Sequence, residues 1–508
     1  MRQIFPLVFF VCALAQFAFS QNLITHDPQQ LYNGDGSLFD PSILRQMDLT
    51  FEDDNYQSVL VDAFFNNPSL RIPANVSIDG ISVDSVGVRY KGNSTFCLPN
   101  EAGSVKVPYN LDFNHWISGQ DLMGYNKVKL ANAWLDPTYC KEYIASRIYR
   151  KYLPTPEINL IELHTQGDYT GLYVNTESIN RQFLNKHFDE NDGVLFKCDG
   201  AGVFCSENGG GGTDGGIPSL SYLGSDTTNY YDSYTIKSDD GWGPLLDLIT
   251  TLEFSPEDLG DVLNIDRVLW AMAVNTVVSN LDTYNGYYVH NYYLYQDVEG
   301  RFQMIPWDFD NAFAGAILGW EYFEPELVYN FDTYGTQFTP NERPLLQKLL
   351  AEPLYKKQFD AHLRTILNES LLDTASIRDD VSQLHDVAYN AVLEDNNKAF
   401  SMTQFSSNVE DDLWTNWGFG GIMSMVDARN NYLAGLSTMA MPTPEISNMT
   451  LSNGILTVDV SLASQVDVMA TTSVHNSKFE TFAMYDDGTN GDLVANDNTY
   501  TSNLPYVV

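Results

Sequence analysis

The stretch from residue 265 to residue 313 constrains the fold of this chain more than any other. Apolar residues recur at helical spacing from Ile265 onward, and Asn264, a favoured N-cap residue, stands directly before them. This pattern predicts a core-facing helix that runs toward Leu281.

A β-hairpin is predicted directly after that helix. Two aromatic-rich runs, 287–295 and 301–307, flank a turn at Glu299-Gly300. The helix end, the start of the first strand and the end of the second would then bring four polar residues together: Asp282, Asn291, Asp308 and Asp310. Carboxylate and amide oxygens suit a hard cation such as Mg²⁺, and a further carboxylate suits a base.

These residues also resemble a known family. The runs 280–282, 290–295 and 305–313 are similar to the C-terminal signature of the spore-coat CotH kinase family. Upstream, the runs 88–94, 106–113 and 167–173, with Glu177, resemble other segments of that family in the same order. Gln166 departs from the usual Asn before the glycine of the third segment. The resemblance covers roughly residues 30–433.

The resemblance implies a fold and an activity. The fold would be α+β, a divergent protein-kinase-like arrangement of two lobes. The activity would be that of a secreted kinase that uses ATP and Mg²⁺ (or Mn²⁺) to phosphorylate hydroxyl side chains of extracellular or surface proteins. The alternative is a non-catalytic surface adhesin or a coat-assembly factor with the same fold. The acceptor and the oligomeric state are not determined by the sequence.

The resemblance also implies roles in metal binding and catalysis. Asp308 is expected to bind the metal with help from Asp310, and Asp282 is expected to be the catalytic carboxylate. Either Asn291 or Asn285 would supply a further oxygen to the metal.

The phosphates of the nucleotide are expected to meet Lys106, on a strand of the β-rich part. Arg89 and Lys91 are alternative cations, and Glu177 is expected to pair with a lysine or with a metal. Without the resemblance, Lys106 on an alternating strand is an ordinary solvated side chain.

Charge and the N-terminus bear on the compartment. The chain has 66 acidic and 27 basic residues, a formal net charge of −39, which argues against general nucleic-acid binding. Residues 1–20 have the composition of a secretory signal peptide, and no later apolar run reaches transmembrane length. We therefore expect a secreted protein, extracellular or at the cell surface.

Four cysteines would remain after the signal peptide is removed, so three disulfide pairings are possible. The prediction is Cys198–Cys205, which are close in sequence, together with Cys97–Cys140. Four sequons are consistent with a glycoprotein, at Asn75, Asn93, Asn368 and Asn448.

The predicted domain organisation has two parts after the signal peptide. Residues 21–440 form the kinase-like domain, with a β-rich lobe at about 76–197, a glycine-rich loop at 198–230 and a helical lobe at about 240–437. Residues 441–508 form a small all-β module that resembles an immunoglobulin-like domain and is too short for a complete sandwich. Its acidic turn at 485–492 is either a Ca²⁺ site or a hydrogen-bonded turn.

Overall fold

The computed structural model describes residues 27–200, 202–205, 211–319, 325–415, 417–475 and 479–505. The predicted signal peptide at 1–20 lies outside these residues, as does part of the glycine-rich loop. The described chain divides into two compact units, one formed by 27–440 with His475 and the other by the remaining described residues from 441 onward. Helices and strands are mixed, as expected for an α+β protein.

Seven strands of the larger unit close into a barrel in the order β1-β2-β3-β4-β5-β7-β6. They are β1 (Arg45–Phe51), β2 (Ile72–Ile78), β3 (Ile81–Tyr90), β4 (Tyr109–Asp112), β5 (Lys127–Ala131), β6 (Ile158–Thr165) and β7 (Asp168–Glu177). Neighbouring strands are antiparallel, except that β1 pairs in parallel with β6. This parallel pair closes the barrel, and β1 lies before the predicted β-rich lobe.

The inside of the barrel is apolar because its strands alternate. In β1, for example, Met47, Leu49 and Phe51 are buried while the residues between them are more exposed. Strands with this period of two place one set of side chains in the core and the other outside. Several outward-facing side chains of β3 and β5 are charged, and two of them, Arg89 and Lys129, recur below.

A four-stranded sheet, ordered β11-β8-β12-β13, lies in the other half of this unit. The remaining strands of the unit are β8 (Val194–Cys198), β9 (Gly202–Cys205), β10 (Gly211–Asp214), β11 (Thr235–Ile236), β12 (Tyr292–Gln296), β13 (Phe302–Pro306), β14 (Leu413–Trp414) and β15 (Gly418–Phe419). Helices pack around this sheet and share one large hydrophobic core with it.

The α-helices of the larger unit are α1 (Tyr56–Asn66), α2 (Ser94–Glu101), α3 (Lys141–Tyr149), α4 (Arg181–Phe188), α5 (Trp242–Phe254), α6 (Leu259–Val262), α7 (Ile265–Val277), α8 (Pro325–Tyr329), α9 (Pro344–Ala351), α10 (Pro353–Ile366), α11 (Thr374–Glu394), α12 (Met402–Ser407) and α13 (Ile422–Ala434). Within the described residues, no helix is both long enough and apolar enough to cross a membrane.

The predicted helix and hairpin are present. Helix α7 begins after Asn264, whose side chain accepts a hydrogen bond from the backbone N–H of Arg267 (3.1 Å), and it ends at Val277, four residues short of Leu281. Strands β12 and β13 pair in antiparallel register with the turn at Glu299-Gly300. The first strand starts at Tyr292, later than predicted.

The smaller unit is all β. Its strands are β16 (Glu445–Ser452), β17 (Ile455–Ser461), β18 (Val466–Ala470), β19 (Glu480–Met484) and β20 (Thr499–Asn503). They form a three-stranded sheet, β16-β17-β20, and a separate pair, β18-β19. A small core holds the unit together through Leu456, Val458, Val460 and Met484.

The predicted disulfide pairings are wrong. Cys140 and Cys198 are both free and buried, which excludes Cys97–Cys140 and Cys198–Cys205. Cys198 lies on β8 opposite Tyr292 of the neighbouring strand, and Cys140 directly precedes α3. Cys97 is disulfide-bonded, to a cysteine outside the described side chains. Closeness in sequence did not predict which cysteines meet.

Candidate functional site

Two aspartates follow strand β13, where the chain leaves the hairpin. The strand ends at Pro306, and Asp308 and Asp310 come directly after it. The loop then returns to the end of α7, where the backbone N–H of Phe313 donates to the carbonyl of Val278 (2.7 Å). The strand end and the helix end are thereby joined, as the sequence predicted.

Asp282 is held by side chains on both of its carboxylate oxygens. Asn311 donates from Nδ2 to Asp282 Oδ2 (3.1 Å) and to Asp310 Oδ1 (3.0 Å). Asn291 donates from Nδ2 to the carbonyl oxygen of Asp282 (3.0 Å) and to its Oδ2 (3.3 Å). On the other side, Nε2 of His290 lies 2.8 Å from Asp282 Oδ1. The structure therefore gathers Asp282, Asp310 and Asn291 around one point.

Two residues of this cluster have left-handed backbone conformations. Asn291 has φ of 57° and Asp308 has φ of 59°. Among residues other than glycine, Asn and Asp tolerate this region best. The conformation at Asn291 also explains why β12 starts after it, because a left-handed residue interrupts an extended strand.

Burial and mutual repulsion disfavour the ionised forms of the carboxylates in this cluster. Burial, and then Asp308, Glu142 and Asp282, raise the pKa of the Asp310 carboxyl well above its usual range. Burial, and then Asp308, raise the pKa of Glu142 to about 8. Buried carboxylates that raise one another's pKa in this way are stabilised when a cation lies between them.

The carboxylates near Asp308 are not packed into a tight three-ligand cage. Across the described residues, the one group of three whose ligand atoms all lie within 4.8 Å of one another is in the smaller unit: Asp486 and Asp492 of the acidic turn, together with Asp497 beyond it. Mg²⁺ at nucleotide sites is commonly held by one or two carboxylates together with water and phosphate oxygens. Asp308 and Asp310 fit that donor set. The Ca²⁺ alternative for the acidic turn stays a prediction.

The cluster forms one wall of a large cavity, whose volume is about 1080 Å³. Four carboxylates line it: Asp199, Asp282, Asp308 and Asp310. Eight cationic side chains also line it: Arg71, Arg89, Lys91, Lys127, Lys129, Arg181, Lys197 and Lys237. An apolar wall is added by buried side chains that include Leu184, Leu195 and Trp307. In a chain with a net charge of −39, this cationic lining indicates an anionic ligand.

Lys129, on β5, is the most unusual of these cations. Its ammonium nitrogen lies 3.5 Å from the centre of the Trp307 ring, and the residue is only 9% exposed. Within the described residues it has no hydrogen-bonded or ion-paired acceptor. Burial, followed by the charges of Lys197 and Lys91, lowers its pKa well below the usual value. A buried, uncompensated ammonium in a cavity is a typical sign of a ligand-binding group.

Lys106 requires a correction, because the structure does not bring it to the cavity. Its ammonium donates to Asp395 Oδ2 (2.6 Å) and to the hydroxyl of Tyr139 (2.8 Å), and the residue is 2% exposed. Asp395 follows α11, so this buried ion pair joins the segment before β4 to the helical half. The position of Lys106 is explained by packing and charge pairing rather than by a ligand.

Of the other residues predicted to bind the cofactor, Arg89 lines the cavity and Glu177 does not. Arg89 lines the cavity, and its guanidinium donates to the carbonyl oxygen of Pro68 (3.2 Å). Glu177 is buried away from it and lies 3.1 Å from Lys186, so of the two expected partners it has the lysine. Burial raises the pKa of Glu177 to about 7.

Asn285, the alternative to Asn291, is used within the protein core. Its Oδ1 accepts from Asn275 (2.8 Å), and its Nδ2 donates to Met272 and Thr276 of α7. Asn291 is therefore the asparagine that the structure places at the carboxylates.

Several site residues were not predicted from the sequence. Lys129 could have been found, because it alternates with Lys127 on β5 and both face the cavity. Glu142 lies within the first turn of the buried helix α3, where no sequence pattern marked it. Lys197 and Asp199 flank the buried Cys198 and form an ion pair with each other.

Comparison with known proteins gives one family match. A family model described as CotH kinase protein matches residues 88–413, which is more than half of the chain and includes every segment quoted above. The resemblance drawn from the sequence is thereby confirmed. A comparison with curated proteins finds no match.

Proposed function

Because this chain belongs to the CotH kinase protein family, we propose that its cavity transfers a phosphoryl group from ATP to a hydroxyl side chain of another protein. One observation supports this most directly: eight cationic side chains and a cluster of carboxylates line a single cavity. Phosphoryl transfer needs both, because phosphates must be held and a carboxylate must receive the acceptor hydroxyl.

Asp308 and Asp310 are the residues that we assign to a divalent cation, and Asn291, which lines the same cavity, would supply a further oxygen. When bound, Mg²⁺ or Mn²⁺ would screen the phosphates from the aspartates. The raised pKa of Asp310 supports this assignment, since the same charges that disfavour its ionised form would attract a cation.

We assign the catalytic carboxylate to Asp282. The oxygen of the acceptor hydroxyl attacks the γ-phosphorus, the bond from that phosphorus to the bridging oxygen of ADP breaks, and the hydroxyl proton passes to Asp282. The bonds from His290, Asn291 and Asn311 hold this carboxylate in one orientation. Such fixed positioning is what an in-line transfer requires.

The phosphates are assigned to Lys129 and Lys91 in place of Lys106. Both line the cavity, and both act electrostatically on the carboxylates around Asp308. Arg89, farther from those carboxylates, is assigned to the outer part of the cavity.

The proposal extends to the fold and the compartment. The barrel would correspond to the smaller lobe of a kinase and the helical half to the larger lobe, and the smaller unit would be an immunoglobulin-like module. The protein would be secreted or displayed at the cell surface, where its acceptor is an extracellular protein. The non-catalytic adhesin or assembly factor remains the second candidate, because the family resemblance alone allows both.

Calorimetric titration with ATP, in the presence and absence of Mg²⁺, tests this proposal together with a phosphotransfer assay. Asp308→Asn should weaken the metal-dependent binding of ATP. Asp282→Asn should still bind ATP while transfer falls about 100-fold or more. Asp379→Asn, on the exposed side of α11, is the matched control and should change neither. Wild-type protein that binds no nucleotide with any divalent cation would exclude the kinase and favour the adhesin.

A further inference from the structure

Three cations line the outer edge of the cavity, and we call them the basic rim: Lys127, Arg181 and Lys237. They come from three different elements, namely the start of β5, the start of α4 and the residue after β11. Local bonds connect these elements. Asn180, next to Arg181, donates to Asn126, next to Lys127 (2.8 Å).

The basic rim is more exposed than the lysine beside the aspartates. The side chain of Arg181 is 62% exposed, that of Lys127 is 29% exposed, and Lys237 is exposed as well. Lys129, by contrast, is buried, and the charge of Asp308 acts on it. The cavity therefore has an inner cationic group beside the carboxylates and a more exposed group, the rim.

The basic rim is only partly balanced by carboxylates of the protein. Lys127 pairs with Asp112 (2.7 Å), but that carboxylate also lies 3.8 Å from Arg71. Arg181 has Asp239 at 3.5 Å, where both side chains are largely exposed and the pair is weak.

Lys237 has no acceptor within the described residues, and neighbouring cations raise the cost of its charge. Arg89 also lines the cavity, and its guanidinium donates to backbone carbonyls. The rim thus presents positive charge that the protein neutralises only in part.

The size of the cavity leaves room for more than one ligand. Its volume of about 1080 Å³ lies just above the roughly 300–1,000 Å³ typical of small-molecule sites. The inner lysines and a divalent cation already match the phosphates of one nucleotide. The rim cations are therefore in excess of what the nucleotide requires.

We propose that the basic rim binds an anionic segment of the acceptor protein, next to the hydroxyl that is phosphorylated. This rests on the proposed function. The anionic groups are Asp and Glu carboxylates or, with the same chemistry, phosphoserines that are already present. Because the chain has a formal net charge of −39, an anionic acceptor would be repelled by the protein as a whole and attracted at this rim, which would orient it toward Asp282.

Four serine peptides of equal length test the proposal. Their flanking positions carry Asp and Glu, phosphoserine, Asn and Gln, or Lys and Arg. Phosphotransfer should give a KM at least about ten-fold lower for an anionic peptide than for the amide peptide, and the difference should shrink as salt is added. The first two peptides distinguish carboxylate from phosphate recognition.

Rim variants locate the effect. Lys237→Gln and Arg181→Gln should each raise the KM for the anionic peptide about three- to ten-fold, whereas Lys357→Gln, on the exposed side of α10, should not. ATP affinity and melting temperature are measured for every variant. A loss of ATP affinity as large as the loss of peptide affinity would mean that the rim holds the nucleotide, and the proposal would be overturned.

Direct binding separates this inference from the proposed function. Fluorescence anisotropy with the four labelled peptides needs no catalysis, so a protein without kinase activity can still be tested. Preference for an anionic peptide that is lost in Lys237→Gln supports the rim even if transfer is absent. Equal binding of all four peptides, or preference for the basic one, would refute the rim even if transfer is present.

Discussion

The buried pair of Lys106 and Asp395 makes Gly171 a sensitive position. Gly171, on β7, has φ of +145°, and a Cβ built there would lie 2.6 Å from Asp395 Oδ2. That oxygen cannot simply move aside, because it accepts from Lys106 (2.6 Å) and from the backbone N–H of Leu172 (3.2 Å). Asp395 Oδ1 is fixed as well, by the backbone N–H of Asn397 (2.8 Å).

We therefore expect Gly171→Ala to be strongly destabilising. The backbone conformation costs about 1–3 kcal/mol for a residue with a side chain. Displacing one partner of a buried ion pair costs about 3–5 kcal/mol more. A total of about 4 kcal/mol or more is a large share of the roughly 5–15 kcal/mol that stabilises a typical domain.

Gly167→Ala is the matched control for this prediction. Gly167 lies in the turn before the same strand, also has a left-handed φ (+87°), and has nothing within 4 Å of the added Cβ. The Gly167→Ala variant should lose only the stability that the strained backbone costs, about 1–3 kcal/mol. Urea unfolding followed by fluorescence measures both free energies. Equal losses in the two variants would show that the contact with Asp395 is not rigid, and the structural account of Lys106 would fail with it.

Three further predictions follow from other parts of the structure. Lys129→Met should lower ATP affinity at least about ten-fold without lowering the melting temperature, because it removes a buried charge that has no ion-paired acceptor among the described residues; a clear loss of stability would contradict this. Burial and the neighbouring cations lower the pKa of Lys237 to about 8. Since a lysine is charged below its pKa, the KM for an anionic peptide should rise between pH 7 and 9, and this rise should be smaller in Lys237→Gln; pH profiles of the two proteins that coincide would argue against it. A chain ending at Ala440 should fold and bind ATP like the whole protein, because residues 27–440 form a compact unit; aggregation, or loss of binding measured by calorimetry, would place the boundary elsewhere.

The sequence predicted the elements whose pattern is local. The spacing of apolar residues after Asn264 gave α7, and the turn at Glu299-Gly300 gave the hairpin β12–β13. The aspartates after β13 were also predicted, because their position depends only on where that strand ends.

Features that depend on distant contacts were not predicted. Lys106 and Lys129 both lie among alternating β-type residues. The alternation places Lys129 on the same face as Lys127, but it does not distinguish a lysine that lines a cavity from one in a buried ion pair. Their different roles are set by Asp395 in one case and by Trp307 in the other, far along the chain. The disulfide prediction failed for the same reason. Cys198 is buried by the pairing of β8 with β12, a contact that is distant in sequence.

The parallel closure of the barrel has a consequence for how the chain matures. Arg45 of β1 pairs with Ile161 of β6. During synthesis, β1 therefore cannot form this pairing until the chain has been extended through β6. Closing so long a loop is entropically costly, and contacts of this range form slowly. Until then β1 presents an unpaired strand edge, to which other chains can add. Factors that shield nascent chains should therefore matter most in this interval.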